Sequence, residues 1–417
     1  MPGLTVGYGE EIITPPLGTE LAGYGFYLHR RAKSVLDDLK VRALFLRNGA
    51  HTLVLISCDL LGLDVAFADI IRNEIASNYK INPEHVLLAS IHTHSGPAIQ
   101  SHPGLGQINP DYIACLPGRI KAAVQSAEND CKAAEFRFFS EHVEPIGYNR
   151  RKGNFEDIDS QLNGAVFQQS DRTIYLFNYA CHPVTLGRTP QVSADWPGAT
   201  IHEIEKRGDC GIFFQGFCGD IDPVTNMNRW GSGEKSDLEL YAKILSSRLY
   251  KGAGLAPAQT DTTLKSMEKR IALPLKIWSA DEIERIADAF MDKVKEFPDA
   301  DRFVKGWKKN AHERREEFNR NPFLRNVPLQ AISIGKLKII ALPGEVFSEF
   351  GLSLKATHNP LFTFGYANGN IGYLPMQKAY RDKKDYAAYF APLFYTLFPF
   401  ASDIENILVK ESLELLS

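Results

Sequence analysis

Two histidines stand two residues apart at the end of an apolar run, in Ile91-His92-Thr93-His94-Ser95-Gly96-Pro97. Imidazoles can ligate a metal or pass a proton near neutral pH. If the strand continues through them, alternation puts both rings on one face. The same spacing also fits a structural pair of hydrogen-bonded histidines at a strand end. A second apolar run, Thr173 to Cys181, leads into His182, followed by Pro183 and a glycine turn at Gly187. A lone strand-end histidine is more often structural, but zinc takes ligands from separate elements, and two such ends in one sheet can converge. The third group is a carboxylate, Glu345, which follows an apolar strand through Pro343-Gly344. Its competing reading is an exposed glutamate in the first turn of a helix, where the dipole favours it.

The elements that must position these groups follow from periodicity. Residues 52–94 read as strand, helix, strand, with TLVLISC, an amphipathic stretch near 64–79 and HVLLASIHTH, and predict a parallel pair. A helix is expected at about 110–129 and another near 197–207, with strands at EFRFFS, TIYLFNYAC and GIFFQGFC. Residues 328–342 predict an antiparallel hairpin turning at Gly335-Lys336. A capping-box pattern at Ser279-Ala280-Asp281-Glu282 opens a charged helical stretch, expected as a solvated insertion over 279–320. No repeat or low-complexity linker divides the chain. The expected fold class is α/β: a mixed β-sheet core flanked by helices, in a single domain over 1–417.

Composition narrows the function classes. With 417 residues, 44% hydrophobic and 23% charged, the chain can bury a large core. Its formal charge of -3, from 47 basic and 50 acidic residues, leaves no basic surplus for nucleic acid. The N-terminal residues show no secretory pattern and no run reaches the length of a membrane span, so a cytoplasmic protein without a transmembrane segment is expected. Six scattered cysteines, without CxxC spacing, are expected as reduced thiols, with Cys181 and Cys218 packed in the core.

Several dispersed segments occur in one order: Ala22-Gly23-Tyr24, Val41-Arg42-Ala43, IHTHSGP, Asn149-Arg150, NYACHP, Gly219-Asp220-Ile221-Asp222-Pro223, Pro343-Gly344-Glu345 and the Tyr373 of ANGNIGY. In this set the sequence resembles the catalytic domain of the neutral/alkaline ceramidases, as a short member with the catalytic domain alone. The resemblance implies one zinc ion per chain, held by His92, His182 and Glu345 with Tyr373 as a further ligand. It places His94 beside the metal and Arg150 near the reacting carbonyl, so that His94 and Arg150 are the expected catalytic residues, with Gly23, Tyr24 and Tyr386 expected at the substrate. Two departures stand out: Arg151-Lys152 follow Arg150 where the family has Ser-Pro, and Asp222 stands where the family has serine. Asp220 and Asp222 either bind a second divalent cation or hold their loop by Asx-type hydrogen bonds.

What this implies is hydrolysis of an N-acyl amide, in a lipid or another small molecule, by metal-activated water. A metal-dependent esterase or lactonase and a non-catalytic binding protein of the same fold remain alternatives. The aromatic stretch Tyr380 to Phe400 is expected mainly as core, with part of it free to wall an acyl groove. Oligomeric state is not encoded in any of these features.

Overall fold

Apolar runs that are continuous rather than alternating become strands buried on both faces. In the computed structural model, which describes residues 3–25, 29–102, 106–395 and 397–417, they build three larger sheets. The first runs Val86–Ser90, His51–Cys58, Lys40–Asn48, Thr5–Ile12, Lys132–Ala133. Its first two strands are parallel, with Val54 opposite Val86, and are linked through helix Val65–Tyr79; the remaining pairs are antiparallel. The second sheet places Cys210–Gln215 parallel to Thr173–Tyr179, which pairs antiparallel with Gln161–Gln168 and, beyond it, Glu135–His142. In the third, Leu264–Pro274, Phe323–Ile334 and Leu337–Ala341 are antiparallel neighbours and Leu361–Phe364 adds in parallel. The expected α/β class and the 328–342 hairpin are therefore both present.

Strand alternation sends side chains into two separate cores. On Lys40–Asn48, Val41, Ala43 and Phe45 face helix Pro110–Asn129 and pack with its Ile120 and Val124. Leu44 and Leu46 point the other way and meet Phe167, Leu176, Phe214, Ile339 and Phe362 from the other two sheets. Phe214 and Phe364 stack at 4.6 Å across this inter-sheet layer. Each such side chain contributes about 1.5–3 kcal/mol on burial, so the layer holds the three sheets in fixed relation.

The insertion forms two helices, Ala280–Val294 and Ala300–Arg320, opened by the expected capping box at Ser279. It is not simply solvated. Ile283, Ala287, Phe290 and Val294 recur at helical spacing on a buried face, as do Phe303, Val304, Trp307, Ala311 and Phe318. Phe290 stacks on Phe390 and Phe303 on Phe394, each at 5.0 Å. The charges lie on the outer face and the inner face roofs the aromatic C-terminal segment.

Four strands deliver their carboxyl ends to one place. Val86–Ser90 leads to His92, Thr173–Tyr179 to His182, Cys210–Gln215 to Cys218, and Leu361–Phe364 to Tyr366. The ends are bonded directly: Ser90 N–H donates to Tyr366 O at 3.1 Å and Gly365 N–H to Gln215 O at 2.9 Å. The buried Gln215 amide then donates to Ile91 O at 3.1 Å and Cys181 O at 2.9 Å, one residue before each histidine. Open α/β sheets bind ligands at such carboxyl ends. Among the described residues no helix is long and apolar enough to cross a membrane.

Candidate metal centre

His92 and His94 do meet, but not by strand alternation. The strand ends at Ser90, and His92 takes a left-handed backbone, φ 68°. That conformation is disfavoured by about 1–2 kcal/mol for a residue with a side chain, and it is held here by the N–H of His92 donating to Leu60 O at 2.9 Å. It turns the two imidazoles toward each other, Nε2 to Nε2 at 3.1 Å. His182 joins from the second sheet, and ligand atoms of His92, His94 and His182 lie within 4.8 Å of one another. This group could hold a metal ion.

Glu345 is buried, 3% exposed, in a short strand Glu345–Val346 that pairs in parallel with Tyr373–Leu374. The exposed-turn reading therefore does not apply. Its Oε2 lies 3.3 Å from His182 Nε2 and 3.4 Å from His92 Nε2. Tyr373, opposite Glu345 in that register, lines the same small cavity of about 30 Å³ as His92, His94, Glu345, Gly23 and Tyr386.

Tautomers follow from the partners. His92 Nδ1 is 2.7 Å from Leu61 O and His182 Nδ1 is 3.0 Å from Ile221 O. A carbonyl only accepts, so each Nδ1 carries a proton and each ring turns its Nε2 toward Glu345. His92 Nε2, His182 Nε2 and Glu345 Oε2 thus converge in a buried space, with His94 Nε2 3.1 Å from His92 Nε2. Such an arrangement requires a cation, a proton or a metal, and imidazole nitrogen with carboxylate oxygen is a donor set that suits zinc.

The electrostatics agree. Burial, with the neighbouring histidines, pushes His94 well below the ordinary imidazole value, and burial also lowers His92. Burial alone would raise Glu345, but His92 and His182 outweigh it and hold the carboxyl well below its usual range. At neutral pH His92 and His94 are free bases beside an ionised Glu345, whereas at His182 burial, which lowers, is outweighed by Cys218 and Glu345, which push it up to about 10.

The remaining sequence-predicted residues surround this cluster. Arg150 Nη2 donates to the Tyr373 hydroxyl at 2.7 Å and to Gly219 O at 2.8 Å, while Nη1 pairs with Asp222 at 3.1 Å. Asp222 thus neutralises Arg150. Asp220 accepts from Ser348 N–H at 2.8 Å and Asn149 Nδ2 at 3.2 Å, so both carboxylates act as loop ties. Gly23 has φ 107°, and a Cβ there would come 2.5 Å from His94 Nδ1. Its contact is with the histidine ring itself. Tyr24 leans on His94 at 5.0 Å, and the half-exposed Tyr386 stands edge-on to Tyr373 at 5.8 Å.

Sequence reading misses three supports. Tyr366 stacks on His92 at 4.0 Å and 18° from parallel. Tyr395 donates to Glu345 Oε1 at 2.9 Å, and Gln215 ties the strand ends. Tyr395 lies within the aromatic stretch assigned mainly to core, which is both core and cavity wall: Phe390, Phe398 and Phe400 are buried, and Tyr386, Phe394 and Tyr395 line the cavity. The six cysteines are free thiols, with Cys181 and Cys218 buried.

No protein-family model matches the chain, and no curated protein matches its sequence. Solved structures do match. Neutral ceramidase from Pseudomonas aeruginosa superposes with a TM-score of 0.73 at 16% identity, over 100% of this chain and 74% of that one. A structure described as ceramidase complexed with C2 gives 0.72 at 15% identity, over 98% and 74%. The chain therefore shares the fold of these ceramidases across its length.

Proposed function

We propose that this protein is a zinc-dependent hydrolase that cleaves an N-acyl amide, with the whole chain acting as one catalytic unit. The observation that supports it most is the convergence of His92 Nε2, His182 Nε2 and Glu345 Oε2 from three separate segments. The shared fold with ceramidases supports a lipid or other small N-acyl substrate.

His92, His182 and Glu345 would hold the ion, with Tyr373 at its edge. Bound there, zinc supplies Lewis acidity that activates water near neutral pH and polarises a carbonyl. The chain's own residues then orient and shuttle. Arg150, fixed by Asp222 and Gly219, presents the Tyr373 hydroxyl toward the oxygen that gains charge during attack. His94, a free base in contact with His92, is placed to take a proton at Nε2 and return it to the departing nitrogen, which cannot leave as an anion. Gly23 and Tyr24 pack on His94, and Tyr386 flanks Tyr373, so all three border the reacting group.

Metal analysis and turnover test this reading together. Purified protein is expected to contain about one zinc per chain, to lose hydrolysis of N-acyl substrates on chelation and to regain it with zinc. His182→Ala and Glu345→Ala should each lose both metal and activity. Protein with no stoichiometric transition metal and no hydrolysis after zinc addition would end the proposal. A matched panel of O-acyl substrates decides between amidase and esterase.

A further inference from the structure

The metal cluster sits in very little space. The cavity that His92, His94 and Glu345 share encloses about 30 Å³. That is close to the share of one water molecule in the liquid, whereas pockets for drug-sized ligands run from about 300 to 1,000 Å³. Among the described residues its apolar side is made of Leu61 and the rings of Tyr386, Phe394 and Tyr395.

Two of these rings are held from several directions. Phe394 lies against Gly25, where a Cβ would come within 2.6 Å of the ring, so the loop and the aromatic segment meet with no room for a methyl group. Phe303 of the second insertion helix stacks on Phe394 at 5.0 Å. Tyr395 is tied by its hydroxyl to Glu345 Oε1 and Asn370 Nδ2.

Tyr386, half exposed, is the ring that stands between this space and solvent, and it is positioned through its neighbour. Asp385 Oδ1 accepts from Ala388 N–H at 3.0 Å, which starts the helical turn that carries Tyr386. Asp385 Oδ2 accepts from Arg151 Nε at 2.9 Å and Nη2 at 2.7 Å, and the carboxylate is only 8% exposed. Two donors of one planar fork on a single oxygen fix its direction as well as its distance. Arg151 is itself anchored over the Phe347 ring at 4.7 Å. Its neighbour Arg150 holds the Tyr373 hydroxyl. One dipeptide therefore sets Tyr373 directly and Tyr386 through Asp385, and the two rings meet edge-on at 5.8 Å.

We propose that this aromatic wall restricts the substrate to a compact acyl group such as formyl or acetyl, with Arg151 as the positioning residue that sets the limit through Asp385 and Tyr386. The inference rests on the hydrolase reading: with His94 beside the leaving nitrogen, Leu61 and the three rings are the surface left to receive the acyl group. The favoured substrate is then a short-chain N-acyl amine rather than a long-chain lipid amide.

An acyl series on one amine, from acetyl through butanoyl to octanoyl, tests the limit. A groove that buried the chain would raise kcat/KM about fourfold per added methylene. With zinc-loaded protein we expect the opposite, a fall of at least about 100-fold from acetyl to octanoyl. Arg151→Ala frees Asp385 and should raise the octanoyl value at least about tenfold while leaving the acetyl value within about threefold, and Arg151→Lys should keep part of the restriction. Hydroxamates of the same acyl groups read the cavity without turnover. In calorimetry with zinc-loaded protein, acetohydroxamate should bind at least about tenfold more tightly than octanohydroxamate, and Arg151→Ala should narrow that gap. If no N-acyl compound is hydrolysed but the hydroxamates bind in this order with this Arg151 dependence, the hydrolase reading fails and the size limit stands. Values of kcat/KM or affinity that rise with chain length, or a folded Arg151→Ala with the parent's profile in both measurements, overturn the proposal.

Discussion

The hydroxyl of Tyr395 donates to Glu345 Oε1 at 2.9 Å, and Asn370 Nδ2 in turn donates to the Tyr395 oxygen at 3.2 Å. This leaves Oε2 as the oxygen that faces His92 and His182. Outer partners of this kind orient a ligand, and their loss weakens metal binding by about 10–100-fold. Tyr395→Phe is expected to do so with little change in melting temperature. Competition with a chromogenic chelator measures it, and unaltered zinc affinity would remove Tyr395 from any role at the centre.

Gln215 is fully buried and its amide serves Ile91 O and Cys181 O together. Gln215→Ala leaves both carbonyls without this donor and opens a void, which should cost about 2–4 kcal/mol in urea unfolding. Zinc affinity should fall with it, because His92 and His182 follow those two carbonyls. A variant as stable as the parent would show that the strand ends are held by other contacts.

Two glycines with positive φ provide a paired test. Gly18 has φ 88° and open space where a methyl group would sit, whereas at Gly23 a Cβ would approach His94 within 2.5 Å. Alanine at either position incurs backbone strain of about 1 kcal/mol. Only Gly23→Ala should also displace His94 and depress kcat. Equal kinetic effects of the two substitutions would contradict the close packing of Gly23 on the imidazole.

Asp37 accepts from Ser193 Oγ at 2.5 Å and Ala194 N–H at 2.7 Å, yet burial raises its carboxyl to about 6 from an ordinary 3.8. The native state therefore binds the proton more tightly than the unfolded chain. The stabilisation is complete below the unfolded value and is lost as pH rises through the folded one, amounting to at most about 3 kcal/mol. Asp37→Asn removes that titration, so relative to the parent the variant should gain stability between about pH 4 and pH 7. Melting temperatures across that interval report it, and a constant difference would mean that Asp37 titrates normally.

Much of this architecture is legible in local pattern. The parallel pair around 52–90, the 328–342 hairpin and the strand-end histidines follow from apolar runs that stop at polar, glycine-rich text. The left-handed turn at His92 is not legible, because nothing in His-Thr-His distinguishes a continuing strand from a broken one. Gln215 and Tyr395 act on partners 124 and 50 residues away, and no spacing rule reports such contacts. The insertion reads wrongly as solvated because its charge content dominates the composition, while its buried face emerges only when Ile283, Ala287, Phe290 and Val294 are taken at helical intervals.

His92 and His182 each hang from the end of their own strand, and those ends are tied together through Gln215 rather than through the chain that separates them. Segments between them can lengthen, shorten or change composition without altering the spacing of the donors. Selection on such a molecule would police a handful of anchor points and leave the intervening text free to drift, so the scaffold can outlast nearly all recognisable similarity in sequence.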